Sequence, residues 1–265
     1  MNTAAARAIE PPSAFLALTE LPRTIGDISA FALAAPILAA APSGDGHAVL
    51  VIPGFTAGDM STTILRHYLE SLGYDSRTWD LGPNLGPKAT GRNGAKLVDR
   101  LKTIYDETGA KVSVVGWSLG GVMARQIART APHLVRQVIT LGSPFTGDPR
   151  ASTVWRSYQF LSGQRLSDPS VRRQLRESRL APPVPSTAIY TRDDGVVAWQ
   201  NCIEPASAET DNIEVRGSHC GLGVNPAVLY AVADRLAQKA DDWRPFERSG
   251  LRAWVYPASA DEVAS

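Results

Sequence analysis

Apolar positions recur along this chain with two periods, and the two periods take turns. Residues 47–52 form a nearly unbroken apolar run closed by Pro53-Gly54, which reads as a buried strand. Residues 61–72 follow with Ile64, His67, Tyr68 and Leu72 at helical spacing, Ser61 as the expected N-cap and Gly73 as the stop. Residues 76–81 read as a short strand ended by the turn-rich stretch 82–87. Residues 94–108 carry Leu97, Leu101, Ile104 and Tyr105 on one helical face. A strand at 111–116, a helix to about 130, strands at 137–141, 187–190 and 213–215, and a last helix at 226–238 complete the pattern. Strands alternating with helices predict an α/β fold, a mostly parallel central sheet with helices on both faces.

One stretch breaks the alternation. The segment between the strands at 137 and 187 is too long for a bare loop. Val154, Trp155, Tyr158 and Leu161 fit one helix, and Val171 and Leu175 a second, so a helical cap is expected at about 146–184. Its arginines at 150, 156, 165, 172, 173, 176 and 179 read as a solvated surface, with a positive rim for anionic esters as the alternative. The organisation expected is an N-terminal helical extension (1–45), an α/β domain (46–245) carrying the cap, and a C-terminal tail (246–265).

Composition narrows the picture modestly. Of 265 residues, 44% are apolar and 20% charged, with a net charge of +1, which suggests neither nucleic acid nor another polyanion as a partner. No run of 18 apolar residues occurs, so stable membrane insertion is not expected. Residues 28–41 are apolar and end in Ala39-Ala40-Ala41, resembling the core and cleavage site of a secretory signal. Glu10, Glu20 and Asp27 offset Arg7 and Arg23 around it, so a helical extension on a cytoplasmic protein is the expectation. Two cysteines, Cys202 and Cys220, exclude a disulfide scaffold and an all-cysteine metal site. They are read as free thiols, with a disulfide between their loops as the alternative. No metal and no cofactor is expected.

The most informative residues are Gly116-Trp117-Ser118-Leu119-Gly120-Gly121, between the apolar run 112–115 and a helical segment. A serine at a strand-to-helix turn, with glycines two residues away on each side, is the G-x-S-x-G nucleophile-elbow pattern. The turn strains the serine and leaves no room for a Cβ at its flanks. A serine hydroxyl needs a base, and the base needs an orienting acid. Among four histidines, only His219 falls just after a strand on the elbow's side of the sheet, in Gly217-Ser218-His219-Cys220-Gly221. The expected acid is Asp194, where Gly195 releases the chain into a turn, with Asp193 and then Asp148 as alternatives and a solvated Asp-Asp-Gly turn as the plain structural reading. Two backbone donors for an oxyanion are expected at Leu119, directly after the serine, and at Phe55 in Pro53-Gly54-Phe55. For the second, a plain strand-ending turn is the alternative. Trp117, Trp155, Tyr158 and Phe160 are candidates to line a substrate site.

On these motifs, together with Asp194-Gly195-Val196-Val197, the chain resembles the α/β-hydrolases over about residues 47–238. The likeness is to the bacterial serine esterase and lipase branch in particular, and Pro53-Gly54 stands where many lipases have His-Gly. The resemblance implies an α/β-hydrolase fold and cleavage of a small-molecule acyl ester through an acyl-enzyme, using Ser118, His219 and Asp194 in the family's chain order. The same residues would serve an acyltransferase or a thioesterase, and a non-catalytic binding protein of this fold is the remaining alternative.

Overall fold

Six strands, all parallel, form one sheet in the order β2-β1-β3-β4-β5-β6, in a computed structural model that describes residues 9–240 and 242–259. Three helices come first: α1 (Ala14–Leu18), α2 (Glu20–Leu33) and α3 (Ala35–Ala39). Then follow β1 (Ala48–Ile52), α4 (Thr63–Ser71), β2 (Asp75–Arg77), the single turn α5 (Pro87–Thr90) and α6 (Ala95–Thr108). Next come β3 (Val112–Trp117), α7 (Leu119–Thr130) and β4 (Val135–Leu141). The insertion contributes α8 (Trp155–Ser162) and α9 (Pro169–Ser178), and β5 (Ser186–Thr191), β6 (Thr210–Val215), α10 (Pro226–Leu236) and α11 (Arg252–Val255) close the chain. Both termini of the expected extension and tail, residues 1–8 and 260–265, lie outside the described residues.

The unbroken apolar run of β1 and the mostly apolar β3 and β4 are explained by burial on both faces, since alternate side chains serve two separate cores. Val49, Val51, Val115, Ile139 and Ile213 pack with Leu65 and Leu69 of α4 and Val228 and Val232 of α10. Ala48, Leu50, Ile52, Val114 and Val138 pack with Leu97, Leu101 and Ile104 of α6 and Ala124 and Ile127 of α7. Strand order reverses between β1 and β3. Chains that leave those two strands therefore part in opposite directions and open a crevice at the carboxyl edge of the sheet.

Two details differ from the sequence reading. The strand expected at 76–81 ends at Arg77, because the Asp59 carboxylate captures the next backbone groups, accepting from Trp79 N at 3.0 Å and Asp80 N at 3.3 Å. Ser61 is not an N-cap. A 3-10 turn at Asp59–Thr62 precedes α4, and the Ser61 hydroxyl donates to Gly58 O at 2.8 Å. The cysteines are free thiols, Cys202 buried and Cys220 exposed. The seven insertion arginines are all exposed. No described helix is long and apolar enough to cross a membrane.

The insertion is anchored from below by one fully buried cation. Arg125 of α7 pairs with buried Glu204, lies over the Phe145 ring at 3.7 Å, and donates to Ser178 O at 3.1 Å and Leu180 O at 2.7 Å. Removing one member of a buried ion pair leaves the other charged and unsolvated. Arg125→Met is therefore expected to lower stability by about 3–5 kcal/mol in chemical denaturation, with Glu204→Gln in the same chain recovering part of the loss.

Candidate active site

Ser118 stands alone between the last residue of β3 and the first of α7, with φ 53° and ψ −120°. For a residue with a side chain such a conformation costs on the order of 1–3 kcal/mol, so its surroundings must hold it. They do so by contact. An added Cβ would lie 2.4 Å from Gly121 N at position 116, 2.3 Å from Ile52 O at 120, and 2.0 Å from Ser143 Oγ at 121. Strand, helix and the end of β1 therefore meet at separations that only glycine permits. The Ser118 N–H donates to Leu141 O at 2.8 Å, which ties the turn to β4.

The loops after β5 and β6 bring their side chains to the same place. His219 Nε2 is 3.0 Å from Ser118 Oγ, and His219 Nδ1 is 2.6 Å from Asp194 Oδ2. Asp194 is fixed by its other oxygen, which accepts from Val196 N at 2.8 Å and Val197 N at 2.7 Å. Asp193 is exposed and bonds through its backbone, its carbonyl accepting from Arg23 at 2.5 Å and its N–H donating to Thr191 Oγ1 at 3.1 Å; Asp148 is exposed in its own turn. Burial of the His219 ring opposes its cation, but the charge and hydrogen bond of Asp194 and the charge of Glu20 outweigh that and raise its pKa above the ordinary value. His47 lies at the opposite edge of the sheet, 2.8 Å from Ser113 Oγ.

Of the two expected backbone donors, Leu119 is the first residue of α7, so its N–H has no partner within the helix. Phe55 lies in the turn after β1, where Gly54 sits so close that an added Cβ would be 3.4 Å from Ser118 Cβ. Phe55, Ser118 and Leu119 open together onto a cavity of about 120 Å³ walled by Val122, Trp155, Tyr158, Val171, Leu175 and Val197. Tyr158 packs edge-on against Phe55, with ring centres 5.3 Å apart. Two of the four aromatic candidates are elsewhere. Phe160 is 85% exposed on the outer side of α8. Trp117 points to the opposite face, packs on Gly223, and donates its indole N–H to His219 O at 3.1 Å, so it supports the histidine loop.

Some neighbours of the site escaped the sequence reading. Gly142, with φ 54°, passes beneath the histidine–aspartate pair, where an added Cβ would sit 2.6 Å from Leu222 and 3.1 Å from His219 Nδ1. Glu20, Arg23 and Asp27 of α2 reach the two loops from outside. Their spacing of three and four residues within an apolar segment was the available signal. Among the described residues, no group of three or more His, Cys, Asp or Glu could hold a metal. Gly120→Ala is expected to destabilise the protein by about 1–3 kcal/mol in thermal or chemical unfolding, because Ile52 O belongs to a central strand and cannot retreat.

No family model matches the chain. Over 76 residues it is 41% identical to a triacylglycerol lipase of Pseudarthrobacter phenanthrenivorans, a match covering 28% of this chain and 22% of that protein. Its structure resembles lipase B of Aspergillus fumigatus, with a TM-score of 0.56 and 19% identity over 73% of this chain and 53% of that one. It also resembles a monoacylglycerol lipase of Paleococcus ferrophilus, with a TM-score of 0.54 and 14% identity over 73% and 96% of the two chains. With an all-parallel sheet, a serine at the sharp turn after β3 and a helical insertion after β4, the chain has the α/β-hydrolase fold.

Proposed function

We propose that the protein is a serine-dependent hydrolase of carboxylic esters, with Ser118 as nucleophile, His219 as general base and acid, and Asp194 as the group that orients the imidazole. The observation that carries this reading is the unbroken chain of contacts from Asp194 Oδ2 through His219 to Ser118 Oγ, at 2.6 and 3.0 Å, on the floor of an apolar cavity. As Oγ bonds to the acyl carbon, its proton passes to His219 Nε2. Asp194, accepting from Nδ1–H, stabilises the imidazolium. The carbonyl oxygen gains charge facing the Phe55 and Leu119 N–H groups. Collapse of the tetrahedral intermediate breaks the bond to the alcohol, which leaves with the proton from Nε2. Water, deprotonated by the same nitrogen, then hydrolyses the acyl-enzyme.

In this reading residues 146–184 act as a cap, whose Trp155 and Tyr158 wall the acyl side of the cavity and exclude water. The triacylglycerol lipase match is in keeping with an acyl ester substrate. The predominantly apolar wall around Ser118 favours an ester with a hydrocarbon acyl chain.

A panel of nitrophenyl esters from acetyl to long acyl tests the reading. Ser118→Ala is expected to reduce turnover to the background rate with the circular dichroism spectrum unchanged, and a fluorophosphonate is expected to label the parent chain but not this variant. Retained turnover in Ser118→Ala would rule the assignment out. The base must be neutral to accept the proton, and its pKa is raised, so activity is lost as pH falls through that raised value. The acid limb of kcat/KM is therefore expected to have its midpoint above about 6.5.

A further inference from the structure

Helix α2 is amphipathic with its polar side turned inward. Its outer side carries Leu21, Ile25, Ile28 and Leu33, 47–84% exposed, while Glu20 and Asp27 are buried at 8% each. Those two carboxylates are spent on the loops of the proposed triad. Glu20 Oε1 accepts from Gly195 N at 2.8 Å and His219 N at 3.2 Å, and Oε2 accepts from Cys220 N at 3.1 Å. One carboxylate thus bridges the residue after Asp194 and the backbone of His219 itself. Arg23 completes the clasp, donating to Glu20 Oε1 at 2.9 Å and to the carbonyls of Asp193 at 2.5 Å and Gly217 at 3.4 Å. Asp27 accepts from Ser218 N at 3.0 Å, Ser218 Oγ at 2.7 Å and Asn225 Nδ2 at 2.8 Å.

The loops are shaped to receive this helix. A Cβ at Gly195 would lie 2.4 Å from Leu16 O and 2.8 Å from Glu20 Cγ, and one at Gly221 would lie 2.0 Å from Asp27 Oδ2. Both glycines have their neighbours in the N-terminal helices, so the domain's own sequence leaves room for them.

We infer that Glu20 is a positioning residue for the Ser118–His219–Asp194 array: its carboxylate locks the acid loop and the histidine loop in register and places a negative charge behind the imidazolium. The inference rests on the function proposed above. Two geometric facts separate its parts. Reach comes from a side chain long enough to hold Gly195, His219 and Cys220 at once, and charge comes from the carboxylate. The charged and titratable groups facing this point are Asp194 and Cys220 from the two loops and Arg23 and Asp27 from α2. Burial opposes the Glu20 charge, but the three backbone N–H groups and Arg23 outweigh it and hold its pKa below the usual value, so it is ionised at neutral pH.

Glu20→Gln and Glu20→Asp in the full-length chain separate these parts. The readouts are kcat and KM on a nitrophenyl ester, and the His219 titration in the ¹⁵N-histidine NMR spectrum, assigned by the signal missing from His219→Gln. Glu20→Gln turns an amide N–H₂ toward an N–H donor and removes the charge. It is expected to lower kcat about ten-fold with KM within about two-fold, and to move the His219 titration and the acid limb of kcat/KM down by about half a pH unit. Glu20→Asp keeps the charge but loses a methylene of reach, so kcat should fall with the titration nearly unmoved. Two results overturn the inference: a folded Glu20→Gln with parental kcat and titration, or a loss of kcat in Glu20→Gln with an unmoved His219 titration, which is what a merely structural glutamate would give. If Glu20→Gln does not fold, parental kcat in Glu20→Asp overturns it equally. A parental chain that hydrolyses no ester defeats the functional reading instead, and the NMR titration still decides whether Glu20 acts on His219.

Discussion

The site depends on how closely three pieces of backbone can approach at the carboxyl edge of the sheet. Ser118 keeps its positive φ only because β3, the start of α7 and the end of β1 are pressed together, and hydrogen is the largest substituent tolerated at 116, 120 and 121. The strain is local, but its maintenance is global. Ile52 O is held in a central strand paired on both sides, and Leu141 O, which receives the Ser118 N–H, ends the next strand but one. A parallel sheet with two buried faces resists such displacement, because moving one strand disturbs both cores at once. The rigid floor lets three loops of different origin meet within hydrogen-bond distance.

The loops themselves are less rigid by nature, and the structure answers that with buried charge at two points. Below the insertion, Arg125 and Glu204 tie α7 to the end of the inserted helices, with the guanidinium covered by Phe145. Outside the proposed triad, Glu20 and Asp27 accept the backbone N–H groups that the turns at 195 and 218–220 cannot pair within themselves. A buried carboxylate is costly alone, by several kcal/mol, but three donated N–H groups and a neighbouring guanidinium compensate Glu20. The cost of desolvation becomes a source of specificity, since only one arrangement of the two loops satisfies every group.

Much of this was legible in the residues. Apolar runs at 47–52 and 111–116 fixed the buried strands, and the glycines around Ser118 fixed the turn, because both follow from period and steric room. His219 and Asp194 followed from where strands end. The losses have a common cause. Trp117 and Phe160 have the chemistry of candidates to line a substrate site, but orientation places them otherwise: one faces the histidine loop and the other faces outward from α8. The strand at 76–81 stopped early because a carboxylate twenty residues upstream took its backbone groups. Tertiary partners of this kind leave no trace in local spacing.

The N-terminal segment shows the same limit most clearly. Its apolar content suggests a helix buried by its hydrophobic side, yet Leu21, Ile25, Ile28 and Leu33 are exposed, and beside Phe31 on the core it is the three charges within 20–27 that hold the helix to the two loops. Attachment by charge makes the docking of α2 a titratable property. Glu20 has its pKa held below the unfolded value, so its contribution is fully present above that unfolded value and is lost as pH falls through the folded one. The proposed base moves the opposite way, since Asp194 and Glu20 raise it. Between the lowered carboxylate and the raised imidazole lies a range of pH in which the helix is docked but His219 is protonated. In that range the proposed base has lost its free lone pair while Glu20 is still ionised, so the Glu20 contacts to Gly195, His219 and Cys220 outlast the neutral imidazole as pH falls.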